Sequence, residues 1–310
     1  MLITLLIIAR TVHIGASMLL VGTCTFEVIT LGPAGRAGRD DFREVHGRLL
    51  RLLRWSLVAA LLSALLWFWL EVANMNGLPL MRAFSVAAWQ TVLFETNFGR
   101  VWQLRLELIA LAFALIALGL ARARARHALN MAVFLISVLL LISLAWVSHA
   151  AAASVQPLGV LGDALHLCAA SIWIGGLLPL AIFLTRARAS SSLGEQTLPV
   201  LQRFSTLSVT CVGVLVATGI SNSWLLVGSI HALLTTRYGW LLLAKLTAFG
   251  ILVCLGARNR FVIKTRLTRV SETADFLAQL RRNVIGETCL AVAVVTIVAC
   301  LGVTPPARGL

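Results

Sequence analysis

Four of the six histidines, His13, His149, His166 and His231, fall in or beside apolar stretches, all toward the same side of the hydropathy pattern. Imidazole is a ligand for copper, zinc and iron, and transmembrane histidines on separate helices are also how membrane cytochromes hold haem. His166 sits in D-A-L-H-L-C-A-A-S-I-W-I-G-G, residues 163–176, and a fainter copy, R-T-V-H-I-G-A-S-M-L-L-V-G, runs from Arg10 to Gly22. In both stretches a glycine follows the histidine by nine positions, Gly22 after His13 and Gly175 after His166. His166 lies roughly 9 Å into its apolar run and His13 roughly 16 Å, at 1.5 Å per helical residue. At those depths an ionisable side chain costs free energy unless it is satisfied, and by default it marks a functional position.

Other side chains could act with them. Asp163 is three residues before His166, so the two share a helix face. It either orients the imidazole as an acceptor or caps the helix. Met18 and Cys168 could add soft sulfur ligands, although Met18 is five residues from His13, a poor match for one face. Arg105, Glu107 and Lys245 are charged positions inside apolar runs. Arg105 and Glu107, two apart, point to different faces and need partners on other helices, with Glu71 one candidate for Arg105. The alternative for the two cations is snorkelling to the headgroups.

These residues are carried by apolar helices. The chain of 310 residues is 59% hydrophobic and 12% charged, against about 25% charged in soluble domains. Repeated apolar runs of about twenty residues broken by Arg-rich connections identify an all-α polytopic membrane protein, solvated by lipid. Eight spans fit, at about 2–30, 52–72, 98–121, 129–148, 160–184, 205–228, 239–257 and 283–303. The net charge of +14 resides in the connections, as orientation in a membrane requires, and does not point to nucleic acid. Basic residues concentrate in 31–54, 122–128, 185–204 and 258–282, so both termini are expected outside the cytoplasm. His46 and His127 lie in these basic connections. The start, M-L-I-T-L-L-I-I, reads as a retained first helix. All six cysteines lie in apolar runs with no C-x-x-C pair, so disulfides are not expected and most of the six are expected to be core residues. The connection at 73–97 is expected to include a short amphipathic piece.

Internal similarity extends beyond the histidines. T-N-F-G-R-V-W-Q-L-R from Thr96 and T-R-Y-G-W-L-L-L-A-K from Thr236 each place a cation, Arg105 or Lys245, six residues after the glycine. A parallel 4+4 pseudo-repeat is expected, with an N-terminal membrane half at 1–150 and a C-terminal half at 151–310. No phosphate-binding loop, H-E-x-x-H or G-x-S-x-G is present, so no enzymatic activity is expected.

D-A-L-H-x-x-A-A-S-I-W-I-G-G, the R-F-S at Arg203–Ser205, A-T-G at 217–219, T-x-R-Y-G-x-x-L-x-x-K at 235–245 and A-R-N-R at 257–260 resemble the copper-resistance protein D (CopD) family. The resemblance covers essentially the whole chain and is sharpest over about 145–260. It implies a multi-pass protein of the bacterial inner membrane associated with copper import, with the copper ion as its cargo and a separate periplasmic copper carrier of the CopC type as its partner. On that expectation His231 and His149 stand near the outer opening, and His166 and His13 line a descending path between the halves. Two alternatives remain open at this level: an electron carrier holding haem b on the same histidines, and a non-transporting subunit that docks a periplasmic carrier.

Overall fold

In lipid a spanning segment must satisfy its own backbone polar groups, and a helix does so within one segment. The protein, seen in a computed structural model, is described over residues 1–32, 40–121, 126–148, 156–266 and 273–309. These residues are all-α, and among them eight helical segments are long and apolar enough to cross a membrane. The polytopic helical reading holds.

Span 1 is α1, Leu2–Thr25, extended by a π-helical turn, Phe26–Leu31. Span 2 is α2, Asp40–Met75. A short helix α3, Val86–Glu95, leads into span 3, α4, Asn97–Ala121. Span 4 is α5, Arg126–Ile142, ending in a 3-10 segment, Ser143–Val147. Span 5 is broken into α6, Gln156–Trp173, and α7, Leu177–Ala187. Span 6 is α8, Ser191–Val227, followed by the short α9, Ile230–Thr235. Spans 7 and 8 are α10, Arg237–Arg266, and α11, Thr273–Leu301.

The boundaries correct the expectation in one respect. Spans 2, 6 and 8 start well before the expected 52, 205 and 283, and span 7 runs past 257, so Arg43, Arg48, Arg51, Arg54, Arg203, Arg258, Arg260, Arg281 and Arg282 sit on helix and not in loops. Hydropathy marks only the apolar centre of a helix, whereas Arg, Leu and Ala all favour its continuation. The short helix expected in 73–97 is present as α3, capped by Ser85, whose Oγ accepts from Ala88 N at 3.2 Å.

The two similar T-x-[FY]-G segments build the same joint. Thr96 Oγ1 accepts from Gly99 N at 2.9 Å and donates to Val92 O, and Thr236 Oγ1 accepts from Gly239 N at 3.0 Å and donates to Ala232 O. Each hydroxyl therefore caps the long helix and ties it to the short one before it. A Cβ on either glycine would collide with the carbonyls of that short helix, near Val92 and Leu93 or near Leu233. Thr96→Ala or Thr236→Ala is expected to cost about 1 kcal/mol of stability, with Thr→Ser close to neutral. Melting in detergent checks this, and equal melting of the Ala and Ser variants would dismiss the cap.

Buried apolar side chains form one core among α1, α2, α4 and α5, including Leu20, Leu57, Trp102 and Leu140. A second joins α7, α8, α10 and α11 through Phe183, Val200, Leu252 and Leu280. Helix α1 contacts α2, α5, α6, α7 and α11, which makes it the hub of the bundle. At its crossing with span 5, Gly22 faces Gly175 and Gly176. A Cβ on Gly22 would fall within 3.0 Å of their backbone, and one on Gly175 would strike Met18 O. Small residues permit such backbone contact between membrane helices.

Candidate functional site

His13 is fully buried. Its Nδ1 stands 3.1 Å from Ala60 O and 3.0 Å from Ser63 Oγ, both on α2. A carbonyl only accepts, and Ser63 already donates its hydroxyl to Ala59 O, so the network assigns the ring proton to Nδ1. The lone pair on Nε2 then accepts from Arg105 Nη2. Trp67 and Trp102 close the ring in, with centroids at 5.6 and 5.7 Å.

Arg105 is also fully buried. Besides His13 it donates to Ser143 Oγ at 2.7 Å and Leu140 O at 3.3 Å, and its guanidinium lies 5.4 Å from the Trp102 centroid. Inter-helix pairing thus prevails over snorkelling. Its partner is not Glu71, which accepts from Trp67 Nε1 and Asn74 Nδ2. The acceptors of Arg105 are all neutral, so its charge is held away from water without an acidic partner among these contacts. Arg10 covers the other side of the cage at 4.6 Å from the Trp67 centroid.

His166, on α6, is half-buried. Its Nδ1 lies 2.9 Å from Thr218 Oγ1 on α8. Thr218 donates its hydroxyl to Val214 O at 2.7 Å, so Nδ1–H is the donor, and the Nε2 lone pair has no bonded partner among the described residues. Gly219 of α8 lies against the ring, where a Cβ would make an ordinary 3.8 Å contact with the imidazole. Lys245, on α10, is within electrostatic reach of both His166 and Asp163. One turn further out, Asn222 Oδ1 is buried without a hydrogen-bond partner among the described residues. It lies 3.3 Å from where a Cβ on Gly162 would sit. The histidine and the carboxamide therefore face the same α6–α8 seam.

The remaining candidates are placed as follows. His231 is exposed on α9. His149 lies outside the described residues. Glu107 points to the exposed surface of α4, away from Arg105. Met18 is buried in the first core and Cys168 packs at its edge. The cysteines of the described residues are unpaired, but only Cys24 and Cys211 are buried while Cys254 and Cys289 are exposed on helix surfaces, so fewer belong to the core than expected. No group of three or more His, Cys, Asp or Glu side chains forms a ready metal cluster among the described residues. Sequence reasoning missed Ser63, Ser143, Thr218 and Asn222. Their signal is weak, a small polar side chain in an apolar run, and only packing selects which ones face a histidine.

The R-F-S segment organises the other end of the bundle. Arg203 donates to Thr30 O and Leu31 O, the last carbonyls of span 1, at 3.4 and 3.2 Å. That is a cation on the negative end of a helix. Gly32, at φ +51°, turns the chain beneath it. Phe204 packs on Phe26, and Ser205 accepts from Arg260 Nη1 of A-R-N-R at 2.6 Å.

Comparison with known proteins places the chain in a family. Residues 1–160 match the family model described as copper resistance protein D-like, N-terminal domain, and residues 198–301 match that of copper resistance protein D. The chain is 31% identical over 230 residues to the copper transport protein CutJ of Bacillus subtilis, which covers 73% of this chain and 42% of that protein. It is 29% identical over 231 residues to the inner membrane protein YebZ of Escherichia coli, covering 73% and 75% of the two chains. It is also 29% identical over 219 residues to copper resistance protein D of Pseudomonas syringae pv. tomato, covering 68% and 70%. The matched region is thus less than half of CutJ. No solved structure matches. With both family models placed along one chain of spanning helices, this protein belongs to the copper resistance protein D family.

Proposed function

We propose that the protein moves copper ions inward across the bacterial inner membrane, with His166 as the first ligand within the bilayer. The observation that carries this is the state of His166. Its Nδ1–H is fixed on Thr218, no bond to Nε2 is found among the described residues, and one turn along the same α6–α8 seam the Asn222 oxygen is buried without a hydrogen-bond partner among them. A metal-binding imidazole is held in that way, with one nitrogen oriented by a hydrogen bond and the other left for the ion. The names of CutJ and the Pseudomonas relative supply the metal. In this reading the basic connections face the cytoplasm and both termini the periplasm. His231 and His149 stand at the outer opening, where a CopC-type carrier would deliver the ion.

His13 is the deeper station, and Arg105 is its gate. The guanidinium takes the Nε2 lone pair that copper would need, so ion and arginine exclude each other by charge as well as by space. The parallel repeat gives this gate a counterpart. In each half a histidine meets a hydroxyl from the next span, Ser63 or Thr218, and a cation from the third, Arg105 or Lys245. The meeting of Gly22 with Gly175 and the shared Thr-Gly joints support the same symmetry.

His166→Ala is expected to abolish copper accumulation by whole cells while the protein still inserts in the membrane, and His13→Ala to do the same. Normal accumulation in both variants would remove the histidine pathway. A haem band in the visible spectrum of the purified protein would favour electron transfer on these histidines. Loss of function on His166→Ala alone, with His13→Ala tolerated, would favour a docking subunit.

A further inference from the structure

One carboxyl group in the spanning helices has no part in either histidine site. Glu287, on α11, is 3% exposed and is the only acid among the buried polar side chains of the described residues. It stands eleven residues, roughly 16 Å, past Phe276, where the spanning part of α11 begins. Asn259 Nδ2 of A-R-N-R donates to its Oε1, and Asn283 Nδ2 donates to Asn259 Oδ1 at 2.8 Å. Among the described residues no cation is paired with it. An ionised carboxylate taken out of water with one neutral donor is strongly disfavoured, and the protonated acid relieves that penalty.

The group is not sealed. Glu287, Asn259, Ser205, Ser208 and Arg260 form the polar part of a largely apolar cavity of about 300 Å³ that reaches the exposed Phe261 at the basic end of α10. Small polar side chains in a space of that size can hold the waters a proton needs in order to leave. The neighbouring charges are already committed. Arg260 of α10 is bonded to Ser205, Arg203 of α8 to the carbonyls ending span 1, and Arg281 of α11 to Thr185 on α7. Arg186 of α7 pairs with Glu44. On span 1, His13 is bonded to Arg105, Glu27 of the π-helical turn to His46, and Arg10 lies against Gly302 at the far end of α11. The donors around Glu287 are oxygens and a carboxamide, hard groups that suit a proton and not a soft copper ion.

We propose that Glu287, held by Asn259 and Asn283, is an exchangeable proton site opening to the basic end of the bundle, and that it couples copper movement to the proton gradient. The proton moves between the carboxyl oxygen and cavity water, and back again, with no other bond made or broken. The coupling rests on the transport reading above, whereas the proton site does not.

Glu287→Gln is the test, because the amide oxygen still accepts from Asn259 and the fold is retained. In infrared difference spectra between acid and alkaline detergent samples, wild type is expected to show a protonated-carboxyl C=O band that the variant lacks. Identical spectra for the two proteins would overturn the site. In proteoliposomes, wild-type copper uptake is expected to change with an imposed pH difference and uptake by Glu287→Gln to ignore it. An unchanged response in the variant would overturn the coupling. Should wild type move no copper at all, the transport reading falls and the coupling with it, while the infrared band alone decides the proton site.

Discussion

Gly22→Leu is expected to prevent stable assembly of the bundle. A Cβ at position 22 would already fall inside the backbone of Gly175 and Gly176, and leucine adds three more carbons. Overpacking of a core of flexible side chains costs roughly 1–3 kcal/mol. Here the obstacle is main chain, which cannot swing aside, so the cost should exceed the top of that range. α1 touches α2, α5, α6, α7 and α11, and any displacement of it loosens both cores. The control is Gly15→Ala, since nothing lies within 4 Å of a Cβ there. It is expected to be neutral, or to stabilise by up to about 1 kcal/mol through helix propensity. Size-exclusion profiles and melting in detergent compare the two. A Gly22→Leu protein that stays monodisperse and melts with wild type would show that the close helix crossing does not hold the two cores together.

The second large effect is expected at Arg105. Arg105→Ala removes a fully buried side chain from against Trp102 and leaves the His13 Nε2 lone pair without a donor. The cavity and the orphaned acceptor together should cost roughly 2–5 kcal/mol. Removing both partners is a different matter. In the His13→Leu, Arg105→Met pair, apolar side chains of similar volume replace the bonded groups, and such exchanges are often close to neutral. The double variant should therefore unfold nearer to wild type than Arg105→Ala does. Reversible unfolding in detergent measures it, and the reverse order of stabilities would mean that the Arg105–His13 contact contributes little. Copper accumulation separates stability from the proposed gate, because the double variant lacks the ligand as well as the arginine and should fold without transporting.

Much of this protein is legible in one dimension, for a reason particular to membranes. Lipid supplies no hydrogen bonds, so an apolar run such as 129–148 has little choice but to be a helix. The motif pairs were legible too, because T-N-F-G and T-R-Y-G require the same cap and the same close approach wherever they occur. Helix ends were less so. Arg43 and Arg203 lie on helix although hydropathy stops short of them, since a charged helix protruding into water looks like a loop to any measure of apolarity. His13 and His166 were visible by depth alone, but depth does not distinguish a ligand from a satisfied side chain.

That distinction belongs to the tertiary structure. Whether an imidazole nitrogen is free depends on which hydroxyl, carbonyl or guanidinium a different helix brings to it. Those groups come from positions dozens of residues away, 47 for Ala60 and 92 for Arg105 with His13, and 52 for Thr218 with His166. By itself the amino-acid order determined the class, the spans, the basic side and the chemistry-bearing residue types, since each depends on local composition and spacing. Packing decided that Nε2 of His13 is occupied and that of His166 open, that Glu107 faces outward, and that Glu287 is buried on Asn259. Each of these turns on the rotation of one helix about its own axis, which in lipid is set by contact with its neighbours.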